Sequence, residues 1–169
     1  IKDNPANPID VPFKKNIEWA IDFMSDALID GRWIRTLNIV DHFNRECLGI
    51  KVGFNLPSRV VISYLEQRIE IYGKPQRIRT DNGPEFRSKV FQKWLSNNNI
   101  EWSRIQKGKP QQNAIIERFN KTFREDILDA NIFKDIEQAQ LLTDEWIWEY
   151  NNERPHQSLN FKTPIEYAA

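Results

Sequence analysis

Residues 18–54 read EWAIDFMSDALIDGRWIRTLNIVDHFNRECLGIKVGF, and this stretch decides the fold. Trp19, Ile21 and Phe23 alternate with Ala20, Asp22 and Met24, the period-two pattern of a strand, so Asp22 faces away from the large apolar side chains. The segment DALIDGR then reads as a hairpin turn through Asp30-Gly31. Two further apolar runs, TLNIVDHF and CLGIKVGF, complete a three-stranded antiparallel meander.

Downstream the period changes. Pro57 or Ser58 opens a helix whose apolar stripe is Val61, Ile62, Leu65, Ile69 and Tyr72, and Gly73 ends it. A short strand, QRIRT, leads to Asp81. A helix from about Ser88 to Asn98 is expected to turn Val90, Phe91, Trp94 and Leu95 inward, and IEWSRI is the fifth strand. After the loop QKGKPQQ, one long helix is expected from about Asn113 to Leu128, and another from about Ile136 to Tyr150. That order implies an α/β fold: a mixed five-stranded sheet, three antiparallel strands followed by parallel ones, with helices on both faces. A ribonuclease-H-like fold has this order. Residues 1–16, rich in proline at the start, read as an extended arm or linker. Residues 17–169 read as the core, with a helical tail from about 135.

A chain of 169 residues fits one domain, and 40% apolar residues with six Trp and ten Phe supply its core. Formal net charge is zero, so bulk electrostatics does not argue for nucleic acid. Any phosphate-binding surface must be local or come from segments outside this chain. No apolar run approaches the ~20 residues of a membrane span, and no signal-peptide layout opens the chain. The single cysteine, Cys47, cannot form an internal disulfide and suits a reducing cytosol; its neighbours make it a buried strand residue. The first residue is Ile rather than Met, so a trimmed piece of a longer protein is expected.

Three acids stand out. Asp81 follows a strand and precedes Asn82-Gly83-Pro84, a turn signal, at the strand end where open α/β sheets build their sites. Taken alone it reads first as a turn-capping Asp. Glu117 lies on a helix whose core stripe is Ile116, Phe119, Phe123 and Ile127. Asn113, Glu117, Lys121 and Arg124 form a second stripe at the core's edge. Alone, Glu117 reads as an ordinary (i, i+4) partner of Lys121, worth ~0.2–0.5 kcal/mol. Asp26, Asp30 and Asp41 compete with Asp22 for the third place. Asp22 is preferred as the one centred in an alternating strand, whereas Asp26 and Asp30 flank the turn and Asp41 ends the next strand. Two carboxylates ~4 Å apart at an effective dielectric of ~20 repel by about 4 kcal/mol, so grouped acids call for cations. Two Mg²⁺ ions relieve that repulsion through carboxylate oxygens and clamp both oxygens of a phosphoryl displacement. The two histidines, His42 and His156, form no zinc-type cluster with Cys47.

These residues resemble the DDE transposase and retroviral-type integrase core, from Glu18 to the C-terminus. The stretch Trp19-Ala20-Ile21-Asp22 is similar to that family's first-acid strand and TDNGPEF to its second-acid strand and turn. The 35 residues between Asp81 and Glu117 match its defining interval. More narrowly, RTLNIVDHFNREC, GKPQQNAIIERFNKTFREDIL and WEYNNERPHQSLNFKTPIEY resemble transposases of bacterial insertion sequences of the IS-three family. The resemblance implies that Asp22, Asp81 and Glu117 bind two Mg²⁺ or Mn²⁺ ions and catalyse phosphodiester transfer. Water would first nick DNA at the element's end, and the freed 3′-hydroxyl would then attack a second phosphodiester. It further implies that Lys107, Lys109, Lys121 and Arg124 hold DNA phosphates, although Lys107 and Lys109 read equally as part of a solvated connector. Asn82 and Asn113 would orient a phosphate or an acid. The partners implied are transposon-end and target DNA and further copies of the chain, with no membrane. The place implied is the bacterial cytoplasm, at the nucleoid when DNA is bound. The family's DNA-reading helix-turn-helix has no counterpart here. A nuclease that hydrolyses without joining, or an inactive DNA-binding remnant, are the alternatives. His156 in the tail reads as a packing residue bonded to a backbone carbonyl.

Overall fold

The computed structural model describes residues 12–105 and 113–169. The expected meander is present as β1 (Glu18–Ala27), β2 (Trp33–Asp41) and β3 (Cys47–Gly53). Its first turn needs Gly31, which takes a φ of 87° that L side chains rarely adopt. Asp30 supports the turn by accepting the Arg32 N–H at 3.0 Å. α1 (Ser58–Tyr72) follows, then β4 (Arg77–Thr80), a single turn α2 (Pro84–Arg87), α3 (Lys89–Asn97) and β5 (Glu101–Arg104). The sheet order is β3-β2-β1-β4-β5. β1 pairs antiparallel with β2 and parallel with β4, and β4 pairs parallel with β5. β1 is therefore central, and its side chains are held from both edges.

The alternation in β1 divides the apolar groups between two cores. Trp19 and Ile21 pack with Val61, Leu65, Phe86, Phe91 and Leu95 of α1, α2 and α3. Ala20, on the other face, packs with Ile116, Phe119 and Phe123 of α4 (Ala114–Phe123) and with Trp146 and Tyr150 of α5 (Ile136–Asn152). Each large side chain buried this way contributes about 1.5–3 kcal/mol against exposure. Asp22 shares the second face and so points toward α4.

Two expectations are corrected. Val90 is 58% exposed rather than inward. The buried residues Phe91, Trp94 and Leu95 set the stripe, and Val90 lies roughly a quarter-turn off it at 100° per residue. The long helix is not uniform either: after Phe123 it widens into a π-helical turn, Arg124–Leu128, closed by Asp129 N–H donating to the Arg124 carbonyl at 2.7 Å. The wider turn lets both Ile127 and Leu128 be buried, where an α-helical stripe would favour the first.

The tail's motifs have physical roles here. The Asn151 side chain accepts from Cys47 N–H at 2.8 Å and donates to its carbonyl at 2.9 Å, so α5 is fastened to β3 by one amide. Thr163 and Glu166 form a reciprocal capping box on α6 (Pro164–Ala168). Of the arm expected over 1–16, residues 1–11 lie outside those described. Asn16 is tied to the core, its backbone N–H donating to Asp41 and its side chain to the Tyr72 carbonyl.

Candidate active site

Parallel pairing of β1 and β4 brings two acids to one end of the sheet. Asp22 lies four residues into the central strand, and Asp81 directly follows Thr80, the last residue of β4. Glu117 stands in the first turn of α4, which covers the Asp22 face. Asp22 is half-buried, whereas Asp81 and Glu117 are exposed. The Asp22 carboxyl is pushed up to about 6, by burial first and then by the negative charge of Asp81, with Glu117 adding in the same direction. Its bonds to Phe23 N–H and Asn120 pull the other way. Asp22 thus feels the negative charge of both other acids singled out by sequence.

They do not form a ready cage. Among the described residues, no group of three or more His, Cys, Asp or Glu side chains could hold a metal ion as it stands. Two of the three carboxylates are engaged with other partners. Asp22 Oδ1 accepts Phe23 N–H at 2.9 Å and Oδ2 accepts from Asn120 Nδ2 at 2.9 Å. Asp81 Oδ1 accepts Gly83 N–H at 2.8 Å, closing the turn. Mutual repulsion without a cation favours rotamers that part the carboxylates. The donor chemistry, oxygen only, fits a hard divalent ion such as Mg²⁺ or Mn²⁺.

The rivals of Asp22 are occupied elsewhere. Asp41 is fully buried and accepts the backbone N–H groups of Asn16 and Phe43. Asp30 pairs with Arg32 at 2.7 Å, and Asp26 accepts the N–H of the next residue. Lys121, expected beside Glu117, lies 4.0 Å from Glu125 instead and is largely exposed. Arg124 donates to the Ser25 carbonyl at 3.0 Å, so it leans back onto β1. Asn82 is exposed, and Asn113 precedes α4 without capping it. Among the described residues neither bonds to the three acids. Lys107 and Lys109 lie outside the described residues.

Sequence reasoning missed two features. Asn120, one turn past Glu117, donates to Asp22 while accepting from Asn38 Nδ2 at 2.8 Å, a relay that orients the carboxylate. Its signal was a polar residue between Phe119 and Phe123 on the covered flank of the helix. Glu18, fully buried, binds His42 Nδ1 at 2.6 Å, Arg77 Nε at 2.9 Å and Arg79 Nη2 at 3.1 Å. The R-x-R pattern of β4, on the face that Glu18 shares, was its signal.

A raised acid in the folded state binds its proton more tightly than in the unfolded chain. Ionised Asp22 therefore costs stability, and the cost builds as pH rises from near 3.8 through about 6. It amounts to at most about 3 kcal/mol. Asp22→Asn is expected to remove this fall between pH 4 and pH 8 in denaturant unfolding. Millimolar Mg²⁺ is expected to offset it in the native chain at pH 8. An unchanged pH slope in Asp22→Asn would sink this account of the site's electrostatics.

Comparisons with known proteins bear on the family and the fold. A family description, "Integrase core domain", matches residues 13–110, and another of the same description matches residues 98–164. A protein of insertion element IS407 from Burkholderia multivorans is 38% identical over 94% of this chain and 57% of its own length. One of insertion element IS476 from Xanthomonas euvesicatoria is 40% identical over 91% of this chain and 44% of its own. The chain thus spans about half the length of these relatives. The catalytic core domain of HTLV-2 integrase, solved in complex with magnesium, superposes with a TM-score of 0.72 at 23% identity, covering 92% of this chain and 98% of that one. The ribonuclease-H-like fold expected from the element order is therefore the observed one. Matched over more than half of its residues, this chain belongs to the integrase core domain family.

Proposed function

We propose that residues 17–169 are the catalytic core of an insertion-element transposase, which cleaves and joins DNA phosphodiesters at the element's ends. The observation that carries this reading is the placement of Asp22 and Asp81 at one end of an integrase-type sheet, with Glu117 in the first turn of the helix that bonds to Asp22 through Asn120. Asp22, Asp81 and Glu117 would hold two Mg²⁺ or Mn²⁺ ions. Bound there, such ions activate the attacking oxygen and stabilise the leaving one. The chain's own residues do the positioning. Asn120 and Phe23 N–H keep the Asp22 carboxylate aimed at the α4 side. The turn bond from Gly83 limits where the Asp81 carboxylate swings. Asn82 and Asn113 border the acids and would orient a phosphate. Lys121, exposed one turn beyond Glu117, supplies positive charge where a DNA strand would enter, and Lys107, Lys109 and Arg124 would extend that contact.

The partners in this reading are element-end and target DNA and further copies of the chain. The magnesium-bound HTLV-2 core, solved in a trimeric form, supports a multimeric working state. Among the described residues no helix is long and apolar enough to cross a membrane. The insertion-element relatives come from bacteria, which supports a bacterial cytoplasmic site of action, at the nucleoid when DNA is bound. The test is incubation of the full-length protein with labelled element-end DNA and Mg²⁺ or Mn²⁺. End-specific nicking followed by a joined product is expected. Hydrolysis with no joined product would leave a nuclease instead.

A further inference from the structure

α4 carries the proposed catalytic acid on one flank and something different on another. Arg118, the residue after Glu117, turns 100° away from it and borders a cavity of about 260 Å³. Arg45, Tyr150, Arg154 and His156 line the same space. Three guanidinium groups from three separate parts of the chain converge there: the β2–β3 loop, α4, and the segment just after α5. No Asp or Glu lines the cavity among the described residues.

The pairing of these charges is incomplete. Arg154 Nη1 meets Asp126 at 2.5 Å. The Arg45 guanidinium donates to the His42 carbonyl and, among the described residues, to nothing else. Arg118 has no hydrogen-bond or ion-pair partner among the described residues and is exposed. Behind them sits the His156 ring, edge-on to Tyr150 at 5.0 Å between centroids. Its backbone N–H donates to the Lys162 carbonyl at 3.0 Å, but the ring Nε2 is buried without a partner among the described residues, so no carbonyl meets that nitrogen there. Burial first, then the charges of Arg154, Arg45 and Arg118, push this imidazole down to about 4, so at neutral pH it carries one N–H and no charge.

A buried polar atom without a partner costs roughly 1–3 kcal/mol, and like charges brought together add to the cost. Both costs fall if an anion occupies the cavity. The guanidinium fork matches two oxygens of a phosphate, and a neutral imidazole N–H can donate to a third. The space is smaller than the ~300–1,000 Å³ of pockets that enclose whole drug-sized ligands, which favours a single phosphate group over a nucleotide base.

We propose that this cavity is a phosphate site, taking a backbone phosphodiester of DNA that runs along the flank of α4 away from Glu117. The choice of DNA over an acidic protein segment rests on the transposase reading above; the anion chemistry does not. With catalytic and anchoring residues adjacent on one rigid helix, a strand gripped at Arg118 would be fixed relative to the acids.

Two measurements test it, neither needing catalysis. The chain has two histidines, so ring resonances of His156 and His42 are readily told apart by nitrogen-15 NMR. Inorganic phosphate is expected to shift the His156 ring signals and leave His42 still, with the response lost in Arg118→Gln. In duplex-DNA binding, Arg118→Gln is expected to weaken affinity about tenfold and to lower the salt-dependence slope by about 1. Lys93→Gln, an equal loss of charge on the exposed side of α3 across the sheet, should leave both unchanged. A His156 ring indifferent to phosphate, or DNA affinity and slope unaltered in Arg118→Gln, would overturn the site. So would an acidic peptide that moves the ring where duplex DNA does not, since the occupant would then be protein. Loss of strand joining with an intact phosphate response would count against the transposase reading alone.

Discussion

Glu117→Gln is expected to abolish strand joining, a fall of about 10³-fold or more, while thermal unfolding stays within about a degree of the parent chain. The magnitude follows from asking three carboxylates to hold two cations, each supplying several kcal/mol of charge stabilisation in the transition state. Removing one negative ligand of similar shape loses much of that. The structural indifference follows from exposure: Glu117 lies at the surface of α4, and the burial of Ile116, Phe119 and Phe123 holds the helix without it. Asp81→Asn should behave alike, because an amide oxygen can still accept the Gly83 N–H. Activity within tenfold of the parent in either variant would remove these acids from the mechanism.

Glu18→Gln should do the opposite, weakening the fold by about 3–5 kcal/mol at pH 7, the cost of breaking a buried ion pair from one side. For a domain whose whole stability is about 5–15 kcal/mol this is a large share. Burial by itself would raise the Glu18 carboxyl. The His42 bond and charge, the Arg79 charge and the Arg77 bond outweigh burial and hold it at about 2. A depressed acid contributes stability that is complete above its ordinary value near 4.5 and is lost as pH falls toward 2. The gap between parent and Glu18→Gln should therefore narrow in urea unfolding between pH 5 and pH 3. A gap below 1 kcal/mol at pH 7 would mean that the cluster is held open by water. Glu18 lies on the Asp22 face of β1, so its loss would also slacken the strand that presents the first acid.

The order of elements was legible from sequence because each apolar period was clean. Trp19-Ile21-Phe23 alternates, and Ile116-Phe119-Phe123 repeats at helical spacing, so each names its partner surface without knowledge of the others. The face of Asp22 was legible for the same reason, since alternation alone turns it away from Trp19 and Ile21 and toward α4. Val90 failed because an apolar residue beside a stripe looks like part of it until the packing shows which neighbours fill the space. The π-helical turn at Arg124–Leu128 failed because a single widened turn leaves the local period almost unchanged.

What the chain alone determined is the pattern of faces: which residues alternate, which repeat at helical spacing, and where turns must fall. That information is local, carried by backbone geometry and by the cost of exposing apolar groups to water. What only the tertiary structure decided is which polar groups meet across faces. Asn120 reaches Asp22 from 98 positions away, Glu18 gathers His42, Arg77 and Arg79, and Arg45, Arg118 and Arg154 share one cavity. Such meetings depend on strand order, register and helix rotation together. A hydrogen bond or a Coulomb interaction acts over a few ångströms in space, whatever the distance along the chain.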